Sequence, residues 1–253
     1  MCQNWLLMDE NEIIMSFCFK DESCGRCPKL GGTADKHIRP CQIDDRGDFS
    51  FTPLALAKEV VMKQSFKTSK LYFGFPIFIL GYQDQNFGYN ITTCSSSYSL
   101  GDWLVIGVGA EENAADQIKH YQQFSVNIPD ENFMLEMEQA GFISHREKLK
   151  HLGLDYEISE LTQAPILEAC SVVLDCQVDR IIEEDGICHI FAKILERLAD
   201  PELLDDKGHF KNDRFAPTYF MGDGHQRVYR YLDDRFDPMG SFFKKARKKN
   251  DKS

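Results

Sequence analysis

Residues 71–109 constrain this chain more than any other stretch. Two apolar runs, residues 71–80 and 103–108, flank a segment crowded with polar side chains: Asn90, Thr92, Thr93, Ser95, Ser96, Ser97 and Ser99. The first run is aromatic and β-branched, which suits a buried strand. Residues 84–88 supply a hairpin turn after it, because Asn86 and Gly88 accept the positive φ that tight turns require. So many hydroxyls next to an apolar sheet have two physical explanations. They face a polar ligand, such as a phosphate or a polar ring edge, helped by backbone N–H groups; or they form a polar edge strand. The residues alone leave both open.

With 253 residues, 43% hydrophobic and 12% aromatic, the chain can hold one large packed domain, or one domain and an appendage. A net charge of −11 sets it against nucleic acid and anionic membrane as partners. No apolar run reaches the roughly 18 residues that a membrane-crossing helix needs. The opening residues turn acidic at Asp9 and Glu10 without a basic lead, unlike a signal peptide, so a cytoplasmic protein is expected. Nine cysteines, an odd number without an export signal, read as reduced thiols or metal ligands.

Five of those cysteines lie within residues 1–48, a Cys-rich extension. Cys24 and Cys27 form a CxxC; with Cys18 and Cys41 they offer four thiolates to zinc or an iron–sulfur cluster. Only one CxxC knuckle is present, and free thiols are the simpler alternative. Thr52 and Pro53 then suit the start of an amphipathic helix with Leu54, Ala57, Val60 and Val61 on one face.

Past the central stretch, residues 111–123 read as a helix and 124–129 as a short strand. Residues 131–139 read as a second helix that Gly141 stops. Residues 142–151 are basic in an acidic protein, which suits an anionic ligand or a solvated loop. From Ala164 the pattern is mostly β, with Asp185 and Gly186 as a hairpin turn and strands at 218–222 and 228–232. Residues 236–253 form a basic tail expected to be disordered. There is no Walker loop, GxGxxG, GxSxG or HExxH, so neither a Rossmann dinucleotide domain nor a zincin is indicated.

Residues 66–232 resemble the flavin reductase-like, FMN-binding split-barrel family. The resemblance is carried in order by Pro76 to Leu80, Asn90-x-Thr92-x-x-Ser95-Ser96-Ser97 and the strand Phe124 to Pro129 containing Asn127. Ser144-x-Arg146-x-Lys148 with Gly153 and Leu154, then residues 164–170 and the closing strands, complete it. His145 stands where the family pattern has glycine, and Cys188 stands where relatives carry a histidine, with His189 one place off and hence on the opposite strand face.

The resemblance implies a mainly β protein, a six-stranded split barrel with peripheral helices over residues 49–235. It implies a homodimer with flavin at the subunit interface. It also implies FMN held by Asn90, Thr92, Thr93, Ser95, Ser96, Ser97 and Asn127, with Ser144, Arg146 and Lys148 at the phosphate. The implied activity is that of an NAD(P)H-dependent flavin oxidoreductase of flavin reductase or flavoredoxin type. The alternative is a non-catalytic flavin-binding electron carrier fed by a redox protein partner. No catalytic acid or base is singled out.

Overall fold

The computed structural model describes residues 63–233 and 235–250, with the backbone alone at 245, 246 and 248–250, and the backbone of short strands between residues 4 and 50. Two compact units are present, Met1–Ser65 and Phe66–Ser253. In the first, β1 (Asn4–Asp9) lies between β2 (Glu12–Cys18) and β3 (Ile38–Pro40), and β4 (Gln42–Ile43) pairs with β5 (Phe49–Ser50). The four-thiolate expectation lies outside the described residues at Cys24, Cys27 and Cys41, with Cys18 described by its backbone alone, and the helix expected over 52–61 lies outside them too. Among the described residues no group of His, Cys, Asp and Glu is placed to hold a metal ion.

The second unit is built on one seven-stranded antiparallel sheet, in the order β8–β7–β11–β14–β15–β10–β9. Its strands are β7 (Phe78–Asp84), β8 (Gly88–Cys94), β9 (Ser97–Leu100), β10 (Trp103–Gly109), β11 (Gln123–Ile128), β14 (Val172–Glu184) and β15 (Ile187–Ala199). The two edge strands, β8 and β9, are consecutive in the chain. The chain itself therefore draws the edges together at Ser95 and Ser96, where Ser96 O accepts from Gly107 N at 2.9 Å. This is a split barrel, and the break at Ser95 and Ser96 makes it seven strands where six were expected.

Burial on both faces explains why the first half of β7, Phe78 to Leu80, is apolar throughout. Phe78, Leu80 and Tyr82 enter the barrel core with Leu104, Ile106, Phe124 and Ile190; Ile77 and Ile79 pack on the other side with Phe133, Met137 and Leu149. A strand covered on both faces has no room for a polar alternate. The helix α1 (Asn113–Tyr121) adds Ala114, Ala115 and Ile118 to the barrel core. Helices α2 (Met134–Phe142) and α3 (Lys148–Leu152) cover the outer face.

The structure corrects the element boundaries in three places. Residues 71–80 are two strands: β6 (Leu71–Pro76) leaves the barrel and pairs in a small sheet of order β17–β16–β6, with β16 (Tyr219–Asp223) and β17 (Arg227–Arg230). Pro76, which has no N–H to give a ladder, ends β6. The second helix runs through Gly141 to Phe142, because Gly141 packs against β8, where a Cβ would lie 3.3 Å from Thr93 Cβ. Near the C-terminus α4 (Ser241–Asn250) replaces the expected irregular tail; its lysines, arginine and alanine favour helix, and Arg247 stacks 5.2 Å from the Phe243 ring centre. The short strands β12 (Tyr156–Ile158) and β13 (Pro165–Leu167) pair with each other beside β11.

Gly81 is a point of closest approach in this packing. A Cβ there would lie 2.5 Å from Ser125 Oγ and 2.6 Å from the Pro165 carbonyl oxygen. Gly81→Ala is expected to cost about 3 kcal/mol or more through this overpacking, read as a lower urea midpoint with unchanged slope.

Candidate functional site

The barrel corner, α2 and the β16–β17 hairpin enclose a cleft of about 630 Å³. Cavities of roughly 300–1,000 Å³ are typical of small-molecule sites. Thr93, Cys94 and Ser95 at the end of β8 form one side, and Met137, Glu138, Gly141 and Phe142 of α2 a second. Ile77, Phe220 and residues 225–227 with Tyr229 complete it. Two hydrogen bonds set the spacing of the walls. Thr93 Oγ1 donates to the Met137 carbonyl at 2.5 Å, tying β8 to α2. Tyr229 OH donates to Glu138 Oε1 at 2.8 Å, tying the hairpin to α2.

Burial and the neighbouring Glu138 carboxylate push the Tyr229 phenol up to about 12, so it remains protonated at neutral pH. Burial pushes the Cys94 thiol up to about 11, and it donates to Gly107 O at 3.4 Å. Cys94 is therefore a neutral wall of the cleft, not a nucleophile.

The residues singled out in the sequence divide into two sets. Thr93 and Ser95 line the cleft. Ser96 and Ser97 flank it at the corner, Ser97 opening β9, while Thr92 is half-buried one place before Thr93 on β8. Ser144 and Arg146 are exposed on the loop that leaves the cleft end of α2.

Asn90, Asn127 and Lys148 depart from the expected direct role: their polar atoms are spent on protein groups. Asn90 Nδ2 donates to Asp84 Oδ2 at 3.3 Å and to Arg146 O at 3.0 Å, and its Oδ1 accepts from Lys148 N at 3.1 Å. Asn90 thus anchors the backbone of the basic loop to the barrel. Asn127 is fully buried; its Oδ1 accepts from Leu167 N at 2.8 Å and its Nδ2 donates to Ile79 O at 3.3 Å, joining β11 to β13 and β7. Lys148 is 7% exposed and its Nζ donates to the Ala140 carbonyl of α2 at 2.6 Å. Burial lowers its pKa, with the Glu112 carboxylate pulling the other way. These side chains shape the site from behind.

Glu138, Phe220, Arg227 and Tyr229 are among the cleft residues that escaped the sequence reading. The signal in the chain was the glycine-rich turn at 222–225 followed by alternating Arg227 and Tyr229. Nothing local says that this hairpin faces α2, some ninety residues earlier. Cys188 is buried in the barrel core, and His189 lies on the opposite face, half-exposed, as the strand period requires.

The donors fit a flavin nucleotide. A planar, mostly apolar ring system needs flat apolar walls, which Ile77, Phe142, Phe220 and Tyr229 offer. Its phosphate needs short hydroxyl donors and fixed positive charge, and Ser95 and Arg227 supply both within one cleft. The class this fold and cleft define is a split-barrel flavoprotein. The chain belongs to the flavin reductase-like domain family, whose sequence model matches residues 72–218, and it is a flavin-related oxidoreductase.

Individual likenesses are more distant. The uncharacterized protein YdfE of Bacillus subtilis (strain 168) is 21% identical over 173 residues, 61% of this chain and 84% of that one. Among solved structures, the flavoredoxin of Desulfovibrio vulgaris (Miyazaki F) superposes with a TM-score of 0.64 at 19% identity, over 71% of this chain and 98% of that chain. The flavoredoxin of Methanosarcina acetivorans gives 0.63 at 18% identity, over 72% and 100%. The 2-nitrobenzoate 2-nitroreductase of Pseudomonas fluorescens gives 0.58 at 22% identity, over 64% and 83%. At these identities the likeness is one of fold. No helix among the described residues is long and apolar enough to cross a membrane.

His145, in the basic loop, has φ of 57°, the left-handed region in which a side chain costs roughly 1–2 kcal/mol. Glycine relieves that strain but adds backbone entropy to the unfolded chain. His145→Gly is therefore expected to stabilise the protein by about 0.5–1 kcal/mol, measured as a rise in the thermal midpoint.

Proposed function

We propose that this protein is an FMN-dependent oxidoreductase of flavin reductase or flavoredoxin type, with FMN bound in the cleft between β8, α2 and the β16–β17 hairpin. The observation that carries this reading is the convergence, in one cavity, of aromatic walls with the Ser95 hydroxyl and the Arg227 guanidinium. Ser144 and Arg146 approach the phosphate from the loop at the end of α2, and Asn90 holds that loop in place through Arg146 O and Lys148 N.

Bound flavin supplies hydride acceptance at N5 and onward delivery of electrons. The protein's own work is orientation and exclusion of water. Phe142, Phe220 and Tyr229 hold the ring plane. The protonated Tyr229 phenol, directed at Glu138, places no acidic proton in the cleft at neutral pH. Such a site needs no triad or paired carboxylates. NADH or NADPH is the proposed electron donor.

The protein is also proposed to act as a homodimer. Tyr98 is 62% exposed, Leu100 79% and Phe142 80%, large apolar side chains on the barrel edge and the cleft rim. A second copy covering them would shield both the rim and the edge strand β9. Leu100→Glu is expected to shift sedimentation from dimer to monomer; a monomeric wild-type protein would refute the assembly.

The direct test is an ultraviolet–visible spectrum of the purified protein after incubation with FMN and removal of the excess. Flavin bands that bleach with NADH or NADPH are expected. Bands that bleach with dithionite alone would make the protein a carrier fed by another protein, and failure to retain any flavin would overturn the reading. Arg227→Gln and Arg146→Gln are each expected to weaken FMN about tenfold while leaving riboflavin, which lacks the phosphate, nearly unchanged. Fluorescence titration of the two ligands reads the difference.

A further inference from the structure

A second cleft, of about 490 Å³, lies beside the first and is lined by Phe66, Lys67, Thr68, Ser69, Gly224 and His225. His225 lines both clefts, so the two adjoin at that side chain. All six lining residues fall outside residues 72–218, the span matched by the family model. The cleft is therefore formed by segments that flank the matched span.

Its chemistry is that of an anion site. Residues 60–83 contain Lys63, Lys67 and Lys70 and no Asp or Glu, in a chain whose net charge is −11. The cleft is also locally built. Gly224 N donates to Thr68 Oγ1 at 3.2 Å, and that hydroxyl donates to Lys70 O at 2.7 Å, which fixes the 67–70 backbone against the hairpin turn. Only glycine allows this approach comfortably: a Cβ on residue 224 would sit 3.1 Å from Ser69 Oγ and 3.4 Å from Thr68 Oγ1.

The nearby acid is already engaged. Asp223 Oδ1 accepts from His225 N at 2.8 Å and Gln226 N at 3.2 Å, while Oδ2 faces His225 Nδ1 at 3.3 Å. That contact orients the imidazole at the border of the two clefts. Lys67 and Ser69 then offer an ammonium and a hydroxyl around one opening.

Resting on the flavin reading of the first cleft, we propose that the second cleft binds the phosphate-bearing half of a phosphorylated pyridine nucleotide, with Lys67 and Ser69 as its donors and the His225 ring as its border with the first cleft. The nicotinamide half of the same molecule would then reach past His225 into the flavin cleft. A monoester phosphate carries close to two negative charges at neutral pH and is matched by a point cation plus short donors. The site therefore favours a 2′-phosphorylated donor over its unphosphorylated counterpart.

The test is calorimetric titration of the full-length protein with adenosine 2′,5′-bisphosphate, and with 5′-AMP for comparison, at low ionic strength. The bisphosphate is expected to bind more tightly than 5′-AMP and to be displaced by NADPH. Lys67→Gln is expected to weaken it about tenfold, and Lys67→Arg to restore most of the affinity. Lys67 is exposed, so loss of fold does not confound the result. Equal affinity in wild type and Lys67→Gln, or no bisphosphate binding at millimolar concentration, overturns the proposal. FMN titration of the wild-type protein separates the two readings: FMN binding without Lys67-dependent bisphosphate binding refutes this inference alone. Lys67-dependent bisphosphate binding without FMN binding refutes the flavin reading and leaves the phosphate site standing.

Discussion

The fold depends on β7 being buried on both faces. Phe78, Leu80 and Tyr82 fill the barrel while Ile77 and Ile79 seat the outer helices, and all five are at most 2% exposed. Full burial of a large apolar side chain contributes roughly 1.5–3 kcal/mol. Several such residues on one strand therefore rival the whole net stability of a domain, about 5–15 kcal/mol. With β7 held this way, the register of β8 follows, Ile79 opposite Thr93 and Phe78 opposite Cys94. That register delivers Thr93 and Ser95 to the cleft. The same burial seats α2, since Met137 and Ala140 pack on the face that Ile77 and Ile79 present.

A second layer of constraint is polar. Asp84, 2% exposed, accepts from the backbone N–H groups of Asn86 and Phe87 in its own turn and from the side chains of Asn90 and Asn113. Its charge is thereby surrounded by donors, the condition under which a buried carboxylate is tolerated. The network joins the β7–β8 hairpin to α1 and, through Asn90, to the loop bearing Ser144 and Arg146. A residue that looks like a ligand donor in a motif can thus serve the ligand at one remove, by fixing the loop that meets it.

The two clefts carry cationic side chains although the chain is acidic overall. Its lysines and arginines are not pooled with the acids around both openings: Lys67 borders the second cleft and Arg227 the first, while Arg146 stands on the loop off α2. Asp223 and Glu138, the acids nearest, are turned to hydrogen bonds with His225 and Tyr229. Local arrangement, and not net charge, decides what each cleft can hold.

Much of this was legible in the chain. Period and turn chemistry gave the β10, β11 and β14–β15 strands, the Asp185 and Gly186 hairpin, and α1, because those segments obey local rules: alternation for one buried face, and positive φ where Asp and Gly tolerate it. The hydroxyl-rich run falls at the corner of the barrel, where Thr93 and Ser95 line the first cleft. Local rules failed where distance in sequence was large. They did not divide residues 71–80 between two sheets, since an apolar run looks the same in either. They did not show that Asn90 and Asn127 turn inward, since an amide's partners are chosen by packing. They did not bring Phe220, Arg227 and Tyr229 to face α2. The sequence by itself determined which segments would be buried strands and which segment between them would be polar, because burial and backbone pairing act along the strand; the barrel was implied by the family resemblance. Only the tertiary structure decided which side chains share the cleft, because that depends on hydrogen bonds such as Tyr229 to Glu138 between segments with no local reason to meet.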